Sequence, residues 1–234
     1  MPKPTFLNLP EPKRRRLIDA ALQEFAAQPY ANASLDRVAA NAQVSKGSLY
    51  QYFDDKADLY QHLVLSELAS RRTAAITPAA ASGTFFERLE AMFLAGLSTF
   101  RADPLAAALG ARMYENSSEP VTRAISDQAR ARGATFFRQQ LAAAVERGEV
   151  RDDIDLDIAA RLVATLAGPG LVDALSFKLG LSISEIARAS TPVDAAAVRA
   201  TVRAAVEMMA AGLAARAPKD KKTRRKSASK EKKR

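Results

Sequence analysis

Ten residues, VSKGSLYQYF from Val44 to Phe53, carry the most telling chemistry in the chain. Placed on a helix at about 100° per residue with Leu49 inward, Ser45 and Phe53 fall within about 40° of it, and Val44, Leu49 and Phe53 become anchors. Gly47 and Gln51 fall on the opposite side, Ser48 and Tyr50 flank them, and Lys46 lies at an intermediate angle. Tyr52, about 60° from the anchor, is expected to be half-buried. An amide such as Gln51 can pair at two points with adenine, a hydroxyl such as Ser48 serves several bases, and Lys46 can reach guanine or phosphate. Tyr50, Tyr52 and Ser34 can bond phosphates, and Lys56 adds charge at the start of the next helix. Glycine inside a helix costs about 1 kcal/mol relative to alanine, so Gly47 at the centre of the polar face suits a backbone that a partner must approach closely. An ordinary amphipathic helix with a solvated face satisfies the same spacing.

The elements that must hold this stretch are helical. Pro10 and Pro12 precede a first helix whose Leu17, Ile18, Ala21, Leu22 and Phe25 share one face. Ser34 is a suitable N-cap for a short second helix to Asn41, with Leu35, Val38, Ala39 and Ala42 turned inward. Two short helices joined by a tight turn and preceded by a packing helix make a helix-turn-helix, whose second helix can enter a major groove. A longer helix is expected from about Asp55 to Ile76, and Pro78 with Ser82-Gly83 marks a break in composition. Five more helices are expected, over 84–101, 104–116, 120–147, 155–179 and 193–215, with Pro169 bending the fourth between Thr165 and Gly170. The fold class is therefore all-α: a flexible arm at 1–10, a helix-turn-helix domain at 11–76, a second helical domain at 84–216, to which the resemblance described next assigns ligand binding and dimerisation, and a disordered basic tail at 217–234.

Lys13 to about Arg71 resembles the DNA-binding domain of the TetR family of bacterial transcriptional regulators. The likeness rests on KRRRLIDAALQEFA in the first helix and SLDRVAANAQVSKGSLYQYFDDKADLY through the motif. It implies that Ser34, Ser45, Lys46, Gly47, Ser48, Tyr50, Tyr52 and Lys56 occupy DNA-contacting places, joined by Gln51 from the wheel, and that Ala39, Ala42, Val44 and Leu49 pack. The chain departs from the family at Gln43, where glycine is common; positive φ there would cost glutamine about 1 kcal/mol. The resemblance further implies a homodimer formed by the last two long helices, a near-palindromic operator on double-stranded DNA, and a small-molecule effector that releases a repressor. Phe93, Arg112, Met113, Tyr114, Phe137, Gln140 and Asp173 are the candidate ligand-binding residues.

Charge separates the readings. The formal net charge is +9, yet residues 217–234 hold ten Lys/Arg against two acidic residues, so the other 216 residues carry only +1. From Glu11 to Arg71, eight basic residues balance eight acidic ones. Affinity for DNA must then come from placed contacts more than bulk charge, unless the tail dominates in an effector-independent DNA-binding protein. A third alternative is an all-α enzyme with an apolar pocket. Catalysis has no visible constellation: the chain has no cysteine, and its single histidine, His62, has no evident acid or nucleophile partner and is expected at a surface or interface. No metal and no cofactor are expected, because a calcium loop from Asp153 would need glycine at Ile158 and glutamate at Ala164. The longest apolar run, Leu162 to Val172, is short for a bilayer, and the N-terminal basic residues follow rather than precede an apolar patch. A cytoplasmic protein without a membrane partner is expected.

Overall fold

The structure, a computed structural model, describes residues 2–79, 81–115, 119–188 and 190–215. The basic tail 217–234 and the side chain of Tyr114 lie outside the described residues. The described chain is all-α, with one isolated antiparallel bridge between Val150 and Ala214.

Residues 1–10, expected as a flexible arm, contain the helical turn α1 (Pro4–Leu7). Phe6 decides this: its ring is 1% exposed and inserts into the N-terminal core, and burying a phenylalanine contributes about 1.5–3 kcal/mol. Helix α2 (Glu11–Ala27) buries Leu17, Ile18, Ala21, Leu22 and Phe25 along its inner stripe. The motif follows as α3 (Leu35–Asn41) and α4 (Lys46–Tyr52).

The expected single helix from Asp55 to Ile76 is divided. Helix α5 (Lys56–His62) passes into a π-helical turn at Leu63–Leu68 before α6 (Ala69–Ala79). Pro78 sits inside the last turn of α6 and does not end it, although its missing N–H deprives the helix of one i→i−4 hydrogen bond. Then come α7 (Phe85–Ala102), capped by a Thr84–Glu87 box, α8 (Pro104–Glu115) and the long α9 (Pro120–Glu146).

Helix α10 (Leu156–Thr165) and helix α11 (Leu171–Leu179) are separated by a π-type segment, Leu166–Gly170, in which Gly168 leaves helical geometry at φ −111°, ψ −106°. The proline-induced break therefore falls within the expected window. Helix α12 (Ile183–Ala187), held by a Ser182–Glu185 capping box, has no counterpart in the sequence reading, and α13 (Ala195–Leu213) closes the fold.

Two apolar cores result. One joins Phe6, Leu17, Leu22, Phe25, Leu49, Phe53, Leu59 and Leu63, and takes in Leu109 from α8 and Ile125 from α9. The other joins Phe85, Leu89, Phe93, Phe137, Leu141, Leu175, Val202 and Val206. Leu156–Leu179 taken as one helix is long and apolar enough to cross a bilayer by length and composition. It is bent at Gly168, however, and buries its inner side against α9 and α13.

Candidate nucleic-acid interface

The turn between α3 and α4 is built by hydrogen bonds that end one helix and start the next. Gln43 has φ +57°, the left-handed conformation anticipated at this position. The Gln43 amide donates to Ala40 O at 3.1 Å and the Val44 amide to Ala39 O at 3.0 Å, the paired closure of a Schellman motif. The glutamine's strain is thus offset by two satisfied carbonyls. Ser45 then caps α4: its Oγ accepts from the Ser48 amide at 3.0 Å and lies 2.8 Å from Ser48 Oγ.

Leu49 and Phe53 are each 1% exposed and fix the inner side of α4. Lys46, Gly47, Tyr50 and Gln51 are exposed and Ser48 is partly exposed, forming the polar face derived from the helical wheel. A Cβ added to Gly47 would meet nothing nearer than Ser45 Oγ at 3.9 Å. The fold itself has room for a side chain there, so packing within the chain gives no reason for the glycine.

The flanking groups are more committed than their residue types suggest. Lys46 Nζ pairs with Asp36 at 2.8 Å, which raises the pKa of the lysine chiefly through that hydrogen bond. Ser34 caps α3 by accepting from the Arg37 amide. Lys56 gives all three of its N–H donors to carbonyls, Tyr30 O at 2.8 Å, Ala31 O at 3.1 Å and Ala33 O at 3.2 Å, and lies over the Tyr30 ring. Tyr52 is buried at 6% exposure, where half-burial was expected, because α1 brings Phe6 against it at 6.4 Å between ring centroids.

Three features escaped the sequence reading. Glu24, 6% exposed, accepts from the Ser34 amide at 2.8 Å and from Arg37 Nε at 3.0 Å, tying α2 to α3. The Arg37 hydrogen bond holds its carboxyl below the usual range against the opposing effect of burial. His62 is buried, not at a surface, because it continues the inner face of α5 past Leu59; its ring lies 5.2 Å from Phe6, 5.7 Å from Phe53, and 3.5 Å from Glu67 Oε1. Finally, Lys3 and Thr5 reach the C-terminal end of α4.

The candidate ligand residues do not converge. Phe137 and Gln140, with Phe85, Arg88, Leu89 and Met92, line a void of about 10 Å³, near the minimum for one water molecule. Phe93 is in the surrounding core, whereas Met113 packs on the other core and Asp173 is exposed. Arg112 Nε and Nη2 donate to Ala26 O at 2.7 Å and Ala27 O at 3.0 Å, closing the C-terminus of α2. An open cleft of about 410 Å³ lies elsewhere, beside the α9–α10 connection and lined by Val150, Arg151 and Asp153. Among the described residues no cluster could hold a metal ion.

A packing helix, a supporting helix and an outward-facing helix after a left-handed turn define a helix-turn-helix protein. A family model described as bacterial regulatory proteins, tetR family, matches residues 17–63. SrpR, a transcriptional regulator of Pseudomonas putida, is 41% identical over 56 residues, 24% of this chain and 26% of SrpR, so the chain spans about a quarter of that relative. The probable acrEF/envCD operon repressor of Escherichia coli K12 is 24% identical over 149 residues, covering 62% of this chain and 68% of the repressor. A TetR family transcriptional regulator from Chloroflexus aurantiacus superposes with a TM-score of 0.66 at 28% identity, over 92% of this chain and all of that one. Residues 17–63 thus match the tetR family of bacterial regulatory proteins, and over most of its length the chain is similar to a TetR family transcriptional regulator.

Proposed function

We propose that the chain is a cytoplasmic, dimeric repressor that reads an operator with α4 and leaves it when a small molecule binds. The observation that carries this reading is the open outer face of α4, with Gly47 at its centre. Gly47, Ser48, Tyr50 and Gln51 face base edges, while Ser34, Ser45 and Lys46 border them at the phosphates. Lys46 exchanges its Asp36 partner for DNA. Lys56 and Tyr52 serve by holding the Tyr30–Ala33 turn and the end of α4, so the proposed contact set is narrower than sequence alone suggested.

The proposed dimer explains an apolar surface otherwise left in water. Ile158 and Leu162 lie one turn apart on α10, Phe177 on α11 is 89% exposed, and Met208 projects from α13. A two-fold pairing through these helices would present two copies of α4 to a near-palindromic site with half-sites about 34 Å apart. The void by Phe137 is too small for an effector, so entry must open the second core. That movement reaches the DNA-binding helices through α6 and through Arg132, whose Nη1 donates to Leu65 O of the π-helical turn at 2.7 Å. Coupling of about 1–3 kcal/mol suffices to change occupancy several-fold.

Selection of bound sites from random duplex DNA tests the reading. Enrichment of an inverted repeat, lost with Gly47→Glu and kept when residues 217–234 are deleted, supports it. If deletion of the tail abolishes the preference, the basic tail is the binding element instead.

A further inference from the structure

We infer that Lys3 and Thr5 are positioning residues for sequence reading: they hold the C-terminal end of α4 and set its outer face without touching DNA. This rests on the proposed role of α4 as the reader. The last carbonyls of any helix lack intrahelical partners, and α4 has seven residues, too few to be stable by itself. Its last turn contains no basic side chain to oppose the negative end of the helix dipole.

The N-terminal segment supplies what is missing. Tyr50 O accepts from Lys3 Nζ at 2.9 Å, Gln51 O accepts from Thr5 Oγ1, and Tyr52 O accepts from the Lys3 amide at 2.9 Å. Three successive carbonyls of α4 are thus satisfied by two residues almost fifty positions away in the chain. Lys3 Nζ also pairs with Asp54 Oδ1 at 2.8 Å, so its charge is held beside the helix end. Phe6 anchors the segment 4.9 Å from the Phe53 ring, and Arg14 Nη1 donates to Leu7 O at 3.2 Å, fixing the far end of α1 to α2. Two of the three carbonyls belong to Tyr50 and Gln51, whose side chains are on the reading face. A change in how these peptides are held therefore turns the side chains that discriminate between bases.

The test uses the full-length chain with Lys3→Met and Thr5→Val together, which keep approximate shape and leave Phe6 in place. Affinity is measured against a site selected from random DNA and against an unselected duplex of equal length, each over a range of salt. Amide exchange is followed across α4. The expected result is a loss of about tenfold for the selected site, equivalent to about 1.4 kcal/mol, with the unselected duplex and the salt slope unchanged and faster exchange at the end of α4. Lys3→Arg with Thr5→Ser should restore the preference. Equal losses on both duplexes, with the slope reduced by about 0.9, would make Lys3 a phosphate contact and overturn the inference. Unchanged preference would overturn it too. Gly47→Glu in the same assay separates the two levels: preference that survives it removes α4 as reader and the inference with it. Preference lost there but kept in the double variant removes the inference alone.

Discussion

A side chain added at Gly47 would have one neighbour within 4 Å, Ser45 Oγ at 3.9 Å. Among the described residues nothing therefore offsets the helix-weakening cost of glycine at this position. Gly47→Ala is expected to raise stability by about 0.4–1 kcal/mol, since alanine restricts the unfolded chain and fits the native backbone. The same methyl group would hold α4 away from the floor of a major groove, so affinity for the selected site should fall while unfolding midpoints rise. Chemical denaturation and binding titration together check this. Greater stability with undiminished affinity would show that the backbone is not approached at Gly47.

Gln43 presents the opposite case, a residue whose backbone angle suits it poorly. At φ +57° a non-glycine residue bears a cost of about 1 kcal/mol, which the amide bonds from Gln43 and Val44 to Ala40 and Ala39 offset. Gln43→Gly should stabilise the chain by up to about 1 kcal/mol and leave operator affinity unchanged. A loss of stability on denaturation would mean that the glutamine side chain contributes more than the turn demands.

Glu24 makes the helix-turn-helix sensitive to acid. Its carboxyl is held below the ordinary value of 4.5, first by the hydrogen bond from Arg37, so its folded pKa lies under its unfolded one. The sign follows: its contribution is full above about 4.5 and is lost as pH falls through the lower, folded value. Glu24→Gln should cost about 1–3 kcal/mol at neutral pH, toward the lower end because Arg37 is half-exposed. The difference between variant and parent should shrink in acid. Denaturation at pH 7 and at pH 3 measures it, and a constant difference would assign the cost to packing instead of charge.

The parts of the fold legible in the sequence were those governed by local period. Leu49 and Phe53 inward with Gly47 and Gln51 outward follows from helical geometry alone, and Pro169 marked its own break. What was not legible depended on partners distant in the chain. Lys56 has the residue type of a phosphate contact, yet its donors are spent on Tyr30, Ala31 and Ala33, a turn no spacing rule connects to it. His62 looked partnerless because Phe6, Phe53 and Glu67 come together around it only in the folded core. The π-helical turn at Leu63–Leu68 has no proline or glycine to announce it, and Arg132, which satisfies one of its carbonyls, is 67 positions from Leu65.

Arg112 illustrates the same limit and yields the last prediction. The family resemblance made it a candidate ligand contact, but its guanidinium closes the carbonyl end of α2 through Ala26 and Ala27. Arg71 adds a second tie, pairing with Asp103 at the start of α8 and lying 3.8 Å from Asp19 on α2. These contacts, with Leu109 and Ile125 in the N-terminal core, attach the helices that would respond to an effector to the helices that would read DNA. Arg112→Met keeps the apolar stem but leaves two carbonyls without their donor, at a cost of about 1–3 kcal/mol. Amide exchange should accelerate at the end of α2 and through α3 and α4, while protection in α10 and α13 stays as it was. A uniform acceleration across the chain would show that Arg112 supports the fold as a whole and is no joint between its two cores.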